Sequence, residues 1–259
     1  MKAVLVMLCG LVVVLSLFDA KASEMTQHTP AQDGSQREAK RLWEQAIAAK
    51  GGRARLYAVR NMVVSWRGNE HVHLYVFPNK LWSWMDDRPS PLGLAVEVYN
   101  LERNLAYLTY PDDPESPRRL GSDALGSGRA AIAEAQLLYL LETQWVKPVP
   151  IGVTSGRVEW RAVDIVQTVV DGERVDFYLD RESHLPLKIS FPAADERGTY
   201  YVTFSDYREV DGIQMPRRVS YMGGGWILTN YQLNVAYDEA IFERPPSIEA
   251  GPEAWHRRQ

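Results

Sequence analysis

The 259-residue chain carries 29 Lys and Arg against 33 Asp and Glu, a formal net charge of −4. That balance argues against general nucleic-acid or anionic-membrane binding. Its one cysteine, Cys9, lies in an apolar leader, so the chain left after export has no thiol for disulfides, thiol catalysis or Cys-ligated zinc.

Met1-Lys2 gives a positive start, Ala3 to Phe18 is almost wholly apolar, and Ala20-Lys21-Ala22 offers a small-x-small cleavage site. This is the order of a secretory signal peptide, residues 1–22. The apolar run is shorter than the roughly 20 residues a spanning helix needs, and no later segment reaches that length. Cys9 follows Leu8 in mid-run, so it makes no lipobox. Residues 23–36 are polar and predict a flexible N-terminus. Ser35 and Glu38 form a capping box for a helix in which Leu42, Trp43, Ala46 and Ile47 share a face, ended by Gly51-Gly52.

From Ala58 the apolar period becomes two. Val72, Leu74 and Val76 alternate, then Trp82 and Trp84, then Leu94, Val96 and Val98, then Leu105, Tyr107 and Thr109. Pro89 to Leu94 is a connector between two of these runs, Asp112 to Pro117 an acidic, proline-rich loop, and Leu120 to Gly128 a Gly/Ser-rich connector. Arg129 to Val146 predicts a second helix. Its Ile132, Ala135, Leu137, Leu138, Leu140, Leu141 and Trp145 go most of the way round, the mark of burial on several sides. Alternation returns after Pro150, with hairpin signals at Asp171-Gly172 and Asp211-Gly212 and a turn at Gly223 to Gly225. Nine to eleven short strands in close succession predict an antiparallel meander, mainly β with two helices. Residues 37–246 are expected to form a single domain, and 247–259 an irregular C-terminal tail.

No nucleophile elbow, zinc-protease helix, P-loop or dinucleotide fingerprint occurs, which points away from an enzyme and from any cofactor. His71 and His73 point the same way on a strand, but no third ligand accompanies them, and they are expected on its more solvated face rather than at a metal. Asp86-Asp87 and Asp112-Asp113 lack the spaced oxygens of a calcium loop and are expected as solvated turn residues.

Several short motifs recur with a pattern: Ala49-Lys50-Gly51-Gly52 leading to Val59-Arg60-Asn61-Met62, Tyr178-Leu179-Asp180 before Leu185-Pro186-Leu187-Lys188, Phe204-Ser205-Asp206-Tyr207-Arg208 before Val210-Asp211-Gly212-Ile213-Gln214-Met215-Pro216, and Asp238-Glu239-Ala240-Ile241-Phe242 with Pro245 beyond. This series resembles the LolA/LolB-like superfamily of periplasmic lipoprotein carriers. The resemblance implies an incomplete antiparallel β-barrel, a strongly curved meander sheet with helices covering an apolar cavity, and no cofactor. Two departures stand out: extra loops around Pro111 to Gly128, and no lipobox of the membrane-anchored branch.

The function expected is a non-enzymatic periplasmic binder or carrier of lipid or lipoprotein acyl chains. The expected cavity wall is Trp66, Leu74, Val76, Trp82, Trp84, Val96 and Val98, with Ile132, Leu138, Leu141 and Trp145 on the covering helix. A cavity of roughly 300–1,000 Å³ is typical of such ligands. Both faces of the strands carry apolar residues, so periodicity leaves open which of them lines the cavity. The alternative is a structural or interaction subunit of a cell-envelope assembly, using the same fold as a scaffold toward a protein partner.

Overall fold

The computed structural model describes residues 30–66, 70–88, 93–111, 113, 115–192 and 199–256. The expected leader, residues 1–22, and most of the Pro89 to Leu94 connector lie outside them. The described elements are helices α1 (Pro30–Lys50), α2 (Arg53–Ala58) and α3 (Ser122–Leu140) and thirteen strands. In chain order these strands are β1 (Asn61–Trp66), β2 (His71–Val76), β3 (Lys80–Asp86), β4 (Leu94–Asn100), β5 (Leu105–Thr109), β6 (Arg118–Arg119) and β7 (Val149–Val158). Then come β8 (Arg161–Val170), β9 (Glu173–Asp180), β10 (Pro186–Pro192), β11 (Thr199–Val210), β12 (Ile213–Tyr221) and β13 (Ile227–Leu233). The protein is mainly β, as its alternating pattern predicts.

The helix boundaries differ from expectation. The first helix starts at Pro30, so 30–36 of the expected flexible stretch is helical, and Ser35 lies within it. There Ser35 Oγ accepts the backbone N–H of Val153, an N–H on end strand β7. The second predicted helix starts at Ser122, taking in most of the Gly/Ser-rich connector, and stops at Leu140 because Leu141 adopts φ 66°. Helix α2 was hidden by its length of six residues.

The chain falls into two compact units that interleave along the sequence. The first comprises Val59–Ala135 and Ile227–Gln259, the second 30–58 and Gln136–Trp226 among described residues. In the first, the strand order is β6-β5-β4-β3-β2-β1-β13; in the second it is β12-β11-β10-β9-β8-β7. The pairings that fix these orders are antiparallel, and neither series joins its ends, so each sheet is open.

In the first unit, register sorts the side chains into two faces. Val63, Leu74, Trp82, Val98 and Tyr107 occupy successive cross-strand positions on one of them. That face is covered by the chain's own C-terminal segment: Ile241 and Phe242 of a short 3-10 helix, and Trp255. The described backbone after 247 is irregular and mostly exposed or half-buried, but it is anchored by Trp255, 2 % exposed, and by an isolated bridge between Tyr237 and His256.

In the second unit, α1 buries Leu42, Trp43, Ala46 and Ile47. The Trp43 ring meets Phe177 of β9 edge-on at 4.8 Å, a favoured aromatic geometry. The two Asp-Gly hairpins form as predicted: Asp171, Gly172, Asp211 and Gly212 all have positive φ, as a type I′ turn requires. Two of the recurrent motifs meet here. Gly51, at φ 132°, lies so close to the Gly212 carbonyl that a Cβ would overlap it, and Lys50 Nζ donates to the Gln214 carbonyl. Burial holds the Lys50 ammonium down to about 7.

Candidate functional site

Of the eleven residues expected to line a cavity, six belong to the covered face of the first unit. Leu74, Trp82, Trp84, Val96 and Val98 are core there, with Val76 packed against them, in one cluster with Ile241, Phe242 and Trp255. Trp66 lies on the opposite face. Ile132 is a buried α3 residue of the first unit, and Leu138 a buried α3 residue of the second. Leu141 is buried just past the helix end, and Trp145 is half-buried in the stretch beyond it.

The opposite face of the first unit holds the less settled chemistry. Strand β2 presents His71, His73 and Tyr75 to it. Register places Ser83 of β3 across from His73, and Glu97 of β4 across from Ser83. These three form a polar row through the middle of the sheet. The expectation of a solvated face for His71 and His73 fails here, because α3 packs on this side. A Cβ on Gly128 of α3 would lie 2.5 Å from the Tyr99 ring, so only glycine permits the close approach. His73 and Glu97 are each 8 % exposed and Ser83 1 %.

The row is buried without being well satisfied. His73 Nδ1 lies 2.9 Å from Ser83 Oγ, but among the described residues its Nε2 has no hydrogen-bond partner. Burial, reinforced by the neighbouring His71, holds the His73 imidazole down to about 3, so it is neutral. Among described residues, the one hydrogen bond to Glu97 comes from the Tyr99 hydroxyl at 3.5 Å, at the limit of a useful bond. Burial pushes the Glu97 carboxyl up to about 7, against a small lowering by that hydroxyl. Buried polar groups are normally hydrogen-bonded, and each exception costs about 1–3 kcal/mol.

Aromatic rings surround the row. Trp66 lies 4.8 Å from His73, His73 6.0 Å from Tyr75, and Tyr75 6.4 Å from Phe77. His71 is engaged separately, its Nε2 3.0 Å from Asp87 Oδ1. The two imidazoles therefore serve different partners, and among the described residues no group of three or more His, Cys, Asp or Glu is placed to hold a metal. Asp87 is thus the hydrogen-bonding partner of His71 rather than a solvated turn residue, with its side chain 15 % exposed. The sequence signal for this site was available in β4, Leu94-Ala95-Val96-Glu97-Val98, where one carboxylate interrupts an apolar strand. Only the register shows that it faces Ser83 and His73.

No helix among the described residues is long and apolar enough to cross a membrane. No protein-family model matches the chain, and no curated protein does. Among solved structures it is similar to a LolA superfamily protein from Nitrosomonas europaea, at 12% identity over 79% of this chain and 96% of that one, TM-score 0.47. It is also similar to an outer membrane lipoprotein-sorting protein domain from Vibrio parahaemolyticus, at 12% identity over 82% and 97%, TM-score 0.41. A DUF1329 family protein from Desulfovibrio piger matches at 11% identity over 79% and 96%, TM-score 0.35.

Proposed function

We propose that the chain is a non-enzymatic binder or carrier of lipid or lipoprotein acyl chains, exported by residues 1–22 and working in the periplasm. The observation that supports this reading is the under-partnered row of His73 and Glu97 among aromatic rings beneath α3. An amphiphile satisfies both needs of such a surface. Its polar group donates to Glu97 or bonds His73 Nε2, and its chain lies along Trp66 and Tyr75. Each buried CH₂ adds about 0.8 kcal/mol. The helix segment that must yield contains Gly126, Ser127 and Gly128, all poorer helix formers than alanine. The ligand surface proposed is thus the face bearing Trp66, with Ile132 on the covering helix, rather than the face filled by the C-terminal segment.

Native mass spectrometry of protein purified from the periplasm, followed by organic extraction, tests the reading. The expected result is a bound fatty acid, phospholipid or lipopeptide, with uptake weakened in Glu97→Leu. A clean apo mass with no uptake of added lipid overturns it. The alternative, a subunit of an envelope assembly, draws on end strand β7, where Val149 and Ile151 are exposed. Co-purification of one stoichiometric protein without lipid would favour that alternative.

A further inference from the structure

We propose that the outer face of the second unit docks on an anionic phospholipid bilayer, seating one phosphate headgroup in a hollow between Lys188, Arg157 and the glycine turn at Gly223-Gly224. The hollow measures about 380 Å³. It lies on the sheet face opposite the core: Lys188 of β10 pairs across to Tyr178 and Thr203, whereas the next residue, Ile189, pairs with Phe177 and Val202, which are fully buried.

Lys188 is the centre of the site. Its Nζ lies 4.3 Å from the Tyr201 ring centroid and 4.7 Å from that of Tyr178. No carboxylate among the described residues pairs with it. Arg157, which also lines the hollow, spends one nitrogen on the Trp160 carbonyl and has no carboxylate partner either. Glu159 is the one acidic residue in the lining, so two cations face one anion. On the far side the backbone itself comes close: Gly223 has φ 74°, and a Cβ there would lie 2.9 Å from the Tyr201 hydroxyl. An anion there meets two cations without displacing an existing ion pair.

The rim supplies the second half of a membrane surface. Trp160, next to Glu159, is 74% exposed, Met222, next to Gly223, 54%, and Trp226, in the lining itself, 46%. Large apolar side chains grouped on a surface mark an interaction site. Tryptophan beside a cation suits the headgroup layer, where an amphipathic ring and a positive charge are both stabilised. The chain's overall charge of −4 argues against general attraction to an anionic membrane, but screening over about 8–10 Å leaves the local charge in control at this contact. This surface is independent of the row at Glu97, so a protein that carries no extractable ligand would still dock.

Flotation with vesicles of phosphatidylethanolamine and phosphatidylglycerol, against phosphatidylcholine alone, tests the proposal. The full chain is expected to float with the anionic vesicles and to release as salt rises. Each surface cation adds about fivefold in affinity, so Lys188→Gln with Arg157→Gln should weaken binding roughly 25-fold. Trp160→Ser with Trp226→Ser should weaken binding to both vesicle types. All four side chains are at least partly exposed, and an unchanged melting temperature confirms that the variants fold. Absence of binding to anionic vesicles, equal binding by the quadruple variant, or binding of glycerol phosphate without vesicle association overturns the proposal.

Discussion

Glu97 of the first unit and Glu142 of the second are both buried, and they are treated in opposite ways. Glu142 of the second unit accepts from Trp43 Nε1 at 2.9 Å, Arg53 Nε at 2.9 Å and the Tyr57 hydroxyl, while Arg53 also holds Glu44 at 2.9 Å. Burial alone would raise the Glu142 carboxyl, but these donors outweigh it and hold it below the usual range. Glu97 of the first unit is almost equally hidden and has one long bond. The same residue type is therefore a structural node in one place and an unsatisfied group in the other. A buried charge with a full donor set fixes a local structure, and one without it leaves room for a partner yet to arrive.

Breaking the satisfied side should have the largest effect. Glu142→Ala leaves the Trp43 and Tyr57 donors without their acceptor while Arg53 keeps Glu44, and is expected to cost about 1–3 kcal/mol for each unpaired donor in chemical denaturation. The contrast sharpens with Glu97→Gln. The folded carboxyl titrates at about 7 and the free one at 4.5, so the folded state binds more protons between those values. Stability therefore falls as pH rises from 4.5 to 7, by on the order of 3 kcal/mol for such a shift. The glutamine variant should match the parent near pH 4 and exceed its denaturation midpoint above pH 7. Equal midpoints at pH 8 would contradict the assigned environment of Glu97.

Gly128→Ala comes next. The added methyl meets the base of the Tyr99 ring, which cannot swing away as a flexible chain end would, so overpacking should cost about 1–3 kcal/mol. Lipid uptake should also change in this variant if α3 covers the ligand surface. The smallest effect at neutral pH belongs to His73→Gln. Its folded value of about 3 lies below the free 6.5, so the unfolded state binds more protons between them, and stability falls as pH drops through that window. The variant should lose that acid sensitivity while changing little at pH 7.

Much of this was legible in the residues. The alternation of Val72, Leu74 and Val76, and the Asp-Gly hairpins, depend on local period and turn chemistry, and they appear where the sequence puts them. The all-round apolar helix is buried as its pattern implies, at Ala131, Ile132 and from Ala135 to Leu140. The starts of α1 and α3 were not legible, because Gly34, Ser35, Gly126 and Gly128 read locally as loop, and the contacts of Ser35 with Val153 and of Gly128 with Tyr99 are tertiary. The polar row was not legible: Trp66, expected at a cavity wall, lies beside His73, but Glu97, Ser83 and Tyr99 gain their meaning from cross-strand register, which no single strand encodes. The covering of Trp82 and Trp84 by Phe242 and Trp255 was not legible, since prolines at 245, 246 and 252 make that stretch look like a loose end.

That cover sets a timetable for folding. Ribosomes deliver the chain from its N-terminus, so Trp82 and Trp84 of β3 and the apolar residues of β4 exist for the whole synthesis of residues 101–241 before Phe242 and Trp255 are made. Contacts across so long a stretch of chain form late, and an open apolar sheet in the interval invites association with other nascent chains. A newly made molecule therefore keeps this apolar face open until Phe242 and Trp255 are in place.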